Sequence, residues 1–127
     1  MADLFVSPRE DTAWRIDAAD LAARLRARWP EAEARVMTLE GIEGELDFSV
    51  PLGAAAPLRG TLEPEGQAVG LDGDLPQCAA FAAWFREQVP AEQELVLWDT
   101  GGSLMVVLEP GVEAAEIERR VAEQWRS

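Results

Sequence analysis

The sequence predicts an α+β domain in which a mainly antiparallel sheet of about five strands packs against three helices, in the order α-β-β-β-α-β-β-α. Apolar residues recur at helical spacing in three segments, each bounded by a capping residue or a proline. Between them lie segments in which apolar and polar residues alternate, a pattern typical of strands. The connections between these strands are short, which favours antiparallel pairing. A length of 127 residues predicts one domain, residues 1–127.

The first predicted elements are a short strand and a helix. Asp3–Val6 is expected to form an edge strand that ends before Pro8. A helix begins after Asp17, whose carboxylate can accept hydrogen bonds from the free N–H groups of the first turn. It ends near Trp29, because Pro30 cannot continue it.

Two hairpins are predicted between the first and second helices. Alternation over Arg35–Leu39 and Glu45–Val50 indicates a pair of strands with one apolar and one polar face, joined by a glycine-bounded turn at 40–44. Leu58–Glu63 and Gln67–Leu71 form the second hairpin, with proline and glycine in the intervening turn.

The second helix is the element around which the chain is organised. Asp74 caps it, Pro76 lies in the first turn where an N–H is not needed, and Pro90 ends it. No residue from Cys78 to Phe85 is polar, so this helix is apolar on all sides and must be covered on nearly every side. Either the rest of the chain or a second copy is expected to cover it. The lone Cys78 is predicted to be a buried apolar residue.

Two strands and a helix complete the chain. Glu94–Trp98 and Leu104–Leu108 are apolar on both faces and flank the turn Asp99–Ser103. We therefore expect these strands to be central in the sheet or covered on both faces. The third helix follows Gly111. Its apolar face is formed by Ile117, Val121 and Trp125.

The charge of the chain restricts its partners. There are 24 acidic and 11 basic residues, and the formal net charge is −13. Such a chain is repelled by phosphate backbones and by anionic lipid, so we expect no nucleic-acid partner and no membrane partner. A protein partner with a basic or apolar surface is favoured. No apolar run reaches the ~18 to 20 residues of a membrane span, and the chain starts without a basic, apolar leader, which predicts a cytoplasmic protein.

The absent residue types exclude much chemistry. Without histidine there is no Ser-His-Asp or Cys-His catalysis, and without lysine there is no Schiff base and no phosphate loop. We expect no cofactor and no catalytic residue. A carboxylate-based, metal-dependent enzyme that uses Glu45 and Asp47, which share the polar face of one strand, is the alternative. The other acids considered are Glu43, Asp72, Asp74 and Asp99.

The order of elements resembles the type III secretion chaperone-like fold, a group that includes non-secretory relatives of the YbjN type. The order runs from the Asp17 helix through three strands, the Asp74 helix and two strands to the Val112 helix. The resemblance covers about residues 15–126 and implies a small, acidic, commonly dimeric protein that binds unfolded segments on apolar patches. The stretch Phe81–Pro90 followed by Leu95–Asp99 is also similar to small uncharacterised proteins of high-GC bacteria, which implies no function.

These observations favour a non-enzymatic protein-binding module that is secretion-chaperone-like and homodimeric. The dimer is expected because a second copy would cover surplus apolar surface on the second helix. The candidate interface residues are Phe81, Ala82, Trp84, Phe85 and Trp98. The alternative is an acidic immunity or inhibitor protein that neutralises a basic toxin through opposite charge.

Overall fold

The protein is an α+β structure with one seven-stranded sheet. A computed structural model describes residues 4–39, 42–53 and 56–126. All neighbouring strands are antiparallel, and their spatial order is β2-β3-β4-β5-β1-β6-β7. The elements are β1 (Leu4–Ser7), α1 (Ala18–Arg28), β2 (Glu33–Leu39), β3 (Ile42–Val50), β4 (Leu58–Leu62), β5 (Val69–Asp72), α2 (Leu75–Glu87), β6 (Val96–Asp99), β7 (Met105–Val107) and α3 (Ala114–Arg126).

The predicted fold class and helix count are confirmed, whereas the number of strands is seven rather than about five. One reason is β1, which was predicted as an edge strand and instead lies between β5 and β6. Its Leu4 pairs with Leu71 on one side and with Asp99 on the other. Leu4 and Val6 are buried, so this short strand joins the two hairpin systems into one continuous sheet and contributes to the core.

The core lies between one face of the sheet and the three helices. On β3, the alternate residues Leu46, Phe48 and Val50 are buried, as the sequence pattern predicts. The Phe48 ring stacks on Phe81 of α2 with ring centroids 5.1 Å apart. Phe81 also contacts the ring of Trp29, the residue that caps the C-terminus of α1. The sheet, α1 and α3 therefore cover α2 within a single chain.

Both predicted helix caps are present. Asp17 accepts a hydrogen bond from the Asp20 backbone N–H. Asp74 accepts from the Gln77 N–H at 2.9 Å, and the Gln77 side chain accepts from the Asp74 N–H at 3.0 Å, which completes a capping box. Pro76 lies in the first turn of α2, where its missing N–H leaves no bond unmade.

The two hairpin turns between α1 and α2 differ in how far they could be predicted. Gly66, with φ 73°, lies in the turn between β4 and β5, and its carbonyl accepts from the Ile16 N–H at 2.8 Å. A Cβ at Gly66 would lie 2.5 Å from the Ile16 carbonyl oxygen, so glycine is required there. In the first hairpin β3 already begins at Ile42, within the predicted turn, and residues 40 and 41 lie outside the described part of the chain.

The last two strands depart from the prediction that both are central or covered. β6 is an interior strand, but β7 is the edge of the sheet. Its side chains Met105 and Val107 are 48% and 37% exposed, because no helix covers that side of the sheet. Among the described residues, no helix is long and apolar enough to cross a membrane.

Candidate functional site: the open face of the sheet

The side of the sheet turned away from the helices, called here the open face, is the main accessible surface that the fold leaves uncovered. Strand alternation places every second residue of each strand there. Cross-strand registers align one row across all seven strands. In spatial order this row is Arg35, Asp47, Thr61, Gly70, Phe5, Trp98 and Met105.

The strands β2 to β5 carry a charged half of the open face. An open groove with a volume of about 740 Å³ runs across it. Ser49, Thr61 and Gly70 are among the small residues of this groove, and longer charged side chains line it beside them. The charged half consists of Glu33, Arg35, Glu45, Asp47, Ser49, Arg59, Thr61 and Asp72.

Two arginines of the groove have no partner among the described residues. Arg35 lies in register with Asp47, and Arg59 lies in register with Asp72, yet neither guanidinium makes a side-chain hydrogen bond or an ion pair with a described residue. Asp47 instead accepts from the Thr61 hydroxyl at 3.1 Å. The groove therefore presents exposed charges of both signs to solvent and to any partner.

Glu45 and Asp47 lie on the same face of β3, as predicted. The negative charge of Asp47, followed by partial burial and the charge of Glu63, raises the pKa of the Glu45 carboxyl above its usual value. Within the described residues, no group of three or more His, Cys, Asp or Glu side chains is placed to hold a metal ion. The charge of Asp47 therefore disfavours ionisation of Glu45. In the described part of the chain, no third acid, histidine or cysteine is placed to complete a metal site with this pair.

The strands β1, β6 and β7 carry an apolar half of the open face. The rings of Phe5 and Trp98 stack with centroids 4.7 Å apart. The Trp98 indole N–H donates to the Ser7 hydroxyl at 2.9 Å, which satisfies the only polar group of the indole. In the neighbouring row Ser7, Val96 and Val107 are in register. The apolar half consists of Phe5, Trp98, Met105 and Val107, whereas Val96, in register with Val107, is only 1% exposed within the chain.

The side chains of the predicted interface on α2 are buried within a single chain. Phe81, Ala82 and Phe85 are fully buried and Trp84 is 8% exposed, all within one chain. They fill the core because the sheet, α1 and α3 surround α2, and so they are not on the surface of the folded monomer. Of the five candidate interface residues, only Trp98 lies on the open face.

Of the other acids considered, Asp74 and Asp99 have local structural roles, and Asp72 lines the groove. Asp74 caps α2. Asp99 holds the β6–β7 turn by accepting from the Ser103 hydroxyl and from the backbone N–H groups of Ser103 and Leu104, and these bonds lower the pKa of its carboxyl. Asp72 lies at the edge of the groove. The side chain of Glu43 lies outside the described residues. Cys78 is buried, as predicted.

Sequence reasoning missed the contribution of β1 and β7 to an accessible surface. Met105 and Val107 alternate with buried Val106, but all five residues of Leu104–Leu108 are apolar, which conceals the alternation. Phe5 belongs to a strand whose partners are far away in sequence. Comparisons of the chain with protein-family models, curated proteins and solved structures gave no match, so the open face itself is the basis for a functional proposal.

Proposed function

We propose that this chain is a non-enzymatic protein-binding module and that its charged half binds a basic protein. The observation that carries the proposal is the open face: a seven-stranded sheet with helices on one side leaves a broad, accessible surface with an open groove on the other. Sheet faces of this kind supply rigid, preorganised surfaces, on which side chains hold fixed spacings. The module is of the immunity or inhibitor type, in which binding itself is the activity.

Charge selects the class of partner. Acidic side chains outnumber arginines in the charged half, and the whole chain carries a formal net charge of −13. The negative charges of Asp47 and Glu63 contribute to the raised pKa of the Glu45 carboxyl. A lysine or arginine from a partner would relieve this repulsion, and the overall field would accelerate its approach.

A second candidate, a secretion-chaperone-like module that binds unfolded segments, is supported by the exposed apolar side chains. Met105, Val107 and Trp125 are 48%, 37% and 50% exposed, and all three belong to β7 or to α3, which packs beside it. Unfolded segments would be held by apolar contact, so their binding would change little with salt. A basic partner held by charge would instead be released as salt increases.

The test uses the purified chain as bait in extract of its own source organism, followed by reconstitution of each captured protein from purified components. The decisive measurement is the association rate of the reconstituted pair between about 50 mM and 500 mM salt, over which exposed charges become screened. We expect a basic partner whose association slows steeply. A partner whose binding is independent of salt would contradict the charged half as the site.

A matched pair of variants locates the site. Glu33→Gln combined with Asp72→Asn removes two exposed charges from the groove. Glu31→Gln combined with Glu87→Gln removes two exposed charges that do not line it. The first pair is expected to slow association several-fold, and the second is expected to have little effect, because only charges near the contact steer docking strongly. Equal effects of the two pairs of substitutions would show that only the net charge of the chain affects association, and would contradict the groove as the binding site.

A further inference from the structure

The apolar half of the open face carries an inference separate from the charged half. Phe5, Trp98 and Met105 form one of its rows, and Val107 lies in the next. None of these four side chains is charged, although charged residues make up 28% of the chain. The one polar group of Trp98 is already bonded to Ser7. A surface of this kind gains most from contact with another apolar surface.

The adjacent edge of the sheet is closed to an added strand at the residues that would form the ladder. The Gln124 side-chain amide of α3 accepts from the Met105 N–H at 2.9 Å and donates to the Met105 carbonyl at 2.8 Å. Arg120 donates to the Val107 carbonyl at 3.1 Å. These side chains occupy three of the backbone groups that strand addition would use, namely the N–H and carbonyl of Met105 and the carbonyl of Val107. An occupant of this region therefore sits on the face of the sheet and does not extend its edge.

The separation of charge on the open face favours a second copy of the chain as that occupant. Two copies with a net charge of −13 each repel one another unless their acidic surfaces stay apart. On the open face the charged residues belong to β2 through β5, whereas the outward residues of β1, β6 and β7 are uncharged. If a two-fold axis runs along the strand direction through the apolar half, the two charged halves lie at opposite ends of the dimer.

We propose that two copies of this chain pack face to face through the apolar half, with Trp98 and Met105 at the centre of an isologous contact. Two sheets pack at about 10 Å, a spacing that side chains of this size fill. The contact leaves both grooves open, so a dimer can still bind a basic partner through each charged half. Because the apolar half spans only three strands, its contact lies at the small end of protein interfaces and forms a concentration-dependent dimer.

Sedimentation equilibrium of the full chain tests this arrangement. We expect the mass to rise from 13.9 kDa towards twice that value as the protein concentration increases from about 1 μM to 500 μM, the range for a small interface. Met105→Glu and Val107→Glu should each weaken the dimer at least tenfold, because both side chains are exposed in the monomer and would be buried in the contact. Ala19→Glu adds the same charge at an exposed position of α1 and should leave the dimer nearly unchanged.

Each outcome decides the proposal. A chain that remains monomeric throughout this range contradicts it, and so does a dimer that Met105→Glu and Ala19→Glu weaken equally. Circular dichroism confirms that each variant is folded before its mass is measured. Salt separates this contact from binding of a basic protein, since screening should strengthen the dimer of like-charged chains and weaken the heterologous complex. Loss of one interaction without the other therefore identifies which proposal fails.

Discussion

The indole N–H of Trp98 donates to the Ser7 hydroxyl at 2.9 Å, and this bond joins two strands that are 91 residues apart in sequence. It holds the Trp98 ring flat against Phe5, with the ring planes inclined by 20°. Without this bond the indole N–H would be an unsatisfied polar group within an apolar surface. The Ser7 hydroxyl therefore satisfies the indole N–H, so that Trp98 brings no unpaired polar group into the apolar half.

Removing this hydroxyl should destabilise the sheet at β1. Ser7→Ala leaves the Trp98 N–H without its partner, and we expect the free energy of unfolding to fall by about 1 kcal/mol. Ser7→Thr keeps the hydroxyl and should recover at least half of that loss. Urea unfolding of the three proteins measures the difference. Equal stability of the Ser7→Ala variant and the parent chain would mean that water replaces the serine without cost.

Gln124 should keep the β7 edge from pairing with other chains. Gln124→Ala exposes both backbone groups of Met105, and we expect slow association into species larger than a dimer, detected by light scattering. Gln124→Glu retains an acceptor for the Met105 N–H but loses the donor to its carbonyl, so it should associate less than the alanine variant. If the parent chain and the two variants have the same mass distribution, Gln124 does not protect the β7 edge from pairing.

The pH dependence of stability should reveal the repulsion around Glu45. Its folded-state pKa is raised, first by Asp47, so the folded chain holds this proton more tightly than the unfolded chain does. The ionised carboxylate therefore costs stability at neutral pH, and the cost disappears as pH falls through the folded-state pKa. Glu45→Gln should raise the free energy of unfolding at neutral pH by about 0.3 to 0.5 kcal/mol, with no gain in acid.

An exposed acid outside the charged half provides the control for this titration. Glu87 lies near the end of α2, and Glu87→Gln should not reproduce the change in pH dependence. Stability curves of the parent chain and the two variants between about pH 3 and pH 8 cover the range in which a glutamate titrates. A gain from Glu45→Gln that persists unchanged at the acidic end would show that packing, and not charge, is responsible.

Arg86 should be important for the connection between α2 and β6. Its side chain is only 2% exposed, and the guanidinium donates to the carbonyl oxygens of Val89, Pro90 and Ala91 at 3.0 to 3.3 Å. Arg86→Met retains much of the apolar volume but removes every donor, and we expect a loss of about 1 to 3 kcal/mol in chemical unfolding. Arg24→Met, at an exposed position of α1, should cost much less. Similar losses would argue against the anchoring role.

The parts of the fold that follow from neighbouring residues could be predicted. Asp74 and Gln77 are three positions apart, so a capping box can be recognised in sequence and is present. Glu45 and Asp47 were assigned to one polar face of a strand because side chains alternate along a strand. The turn around Gly66 can also be predicted, because the proline and glycine that favour it are close together in sequence.

The rest depends on contacts that no local pattern encodes. The position of β1 is set by pairing with β5 and β6, and both lie more than 60 residues away. The Phe48 ring lies over Gly60, where any side chain would collide with it, yet the two residues belong to different strands. The apolar character of α2 was recognised, but its spacing could not show that α1, α3 and the sheet enclose it within one chain.

The most direct test of this account is the unfolding of Ala82→Glu compared with Met105→Glu in urea. Ala82 is fully buried, so a carboxylate there should lower the free energy of unfolding by at least about 4 kcal/mol. Met105 is exposed on the open face, so the same side chain there should leave stability nearly unchanged. A folded, stable monomer of Ala82→Glu would contradict this structure, because Ala82 would then lie on the surface of α2. The second helix, and not the open face, would then be the candidate interface.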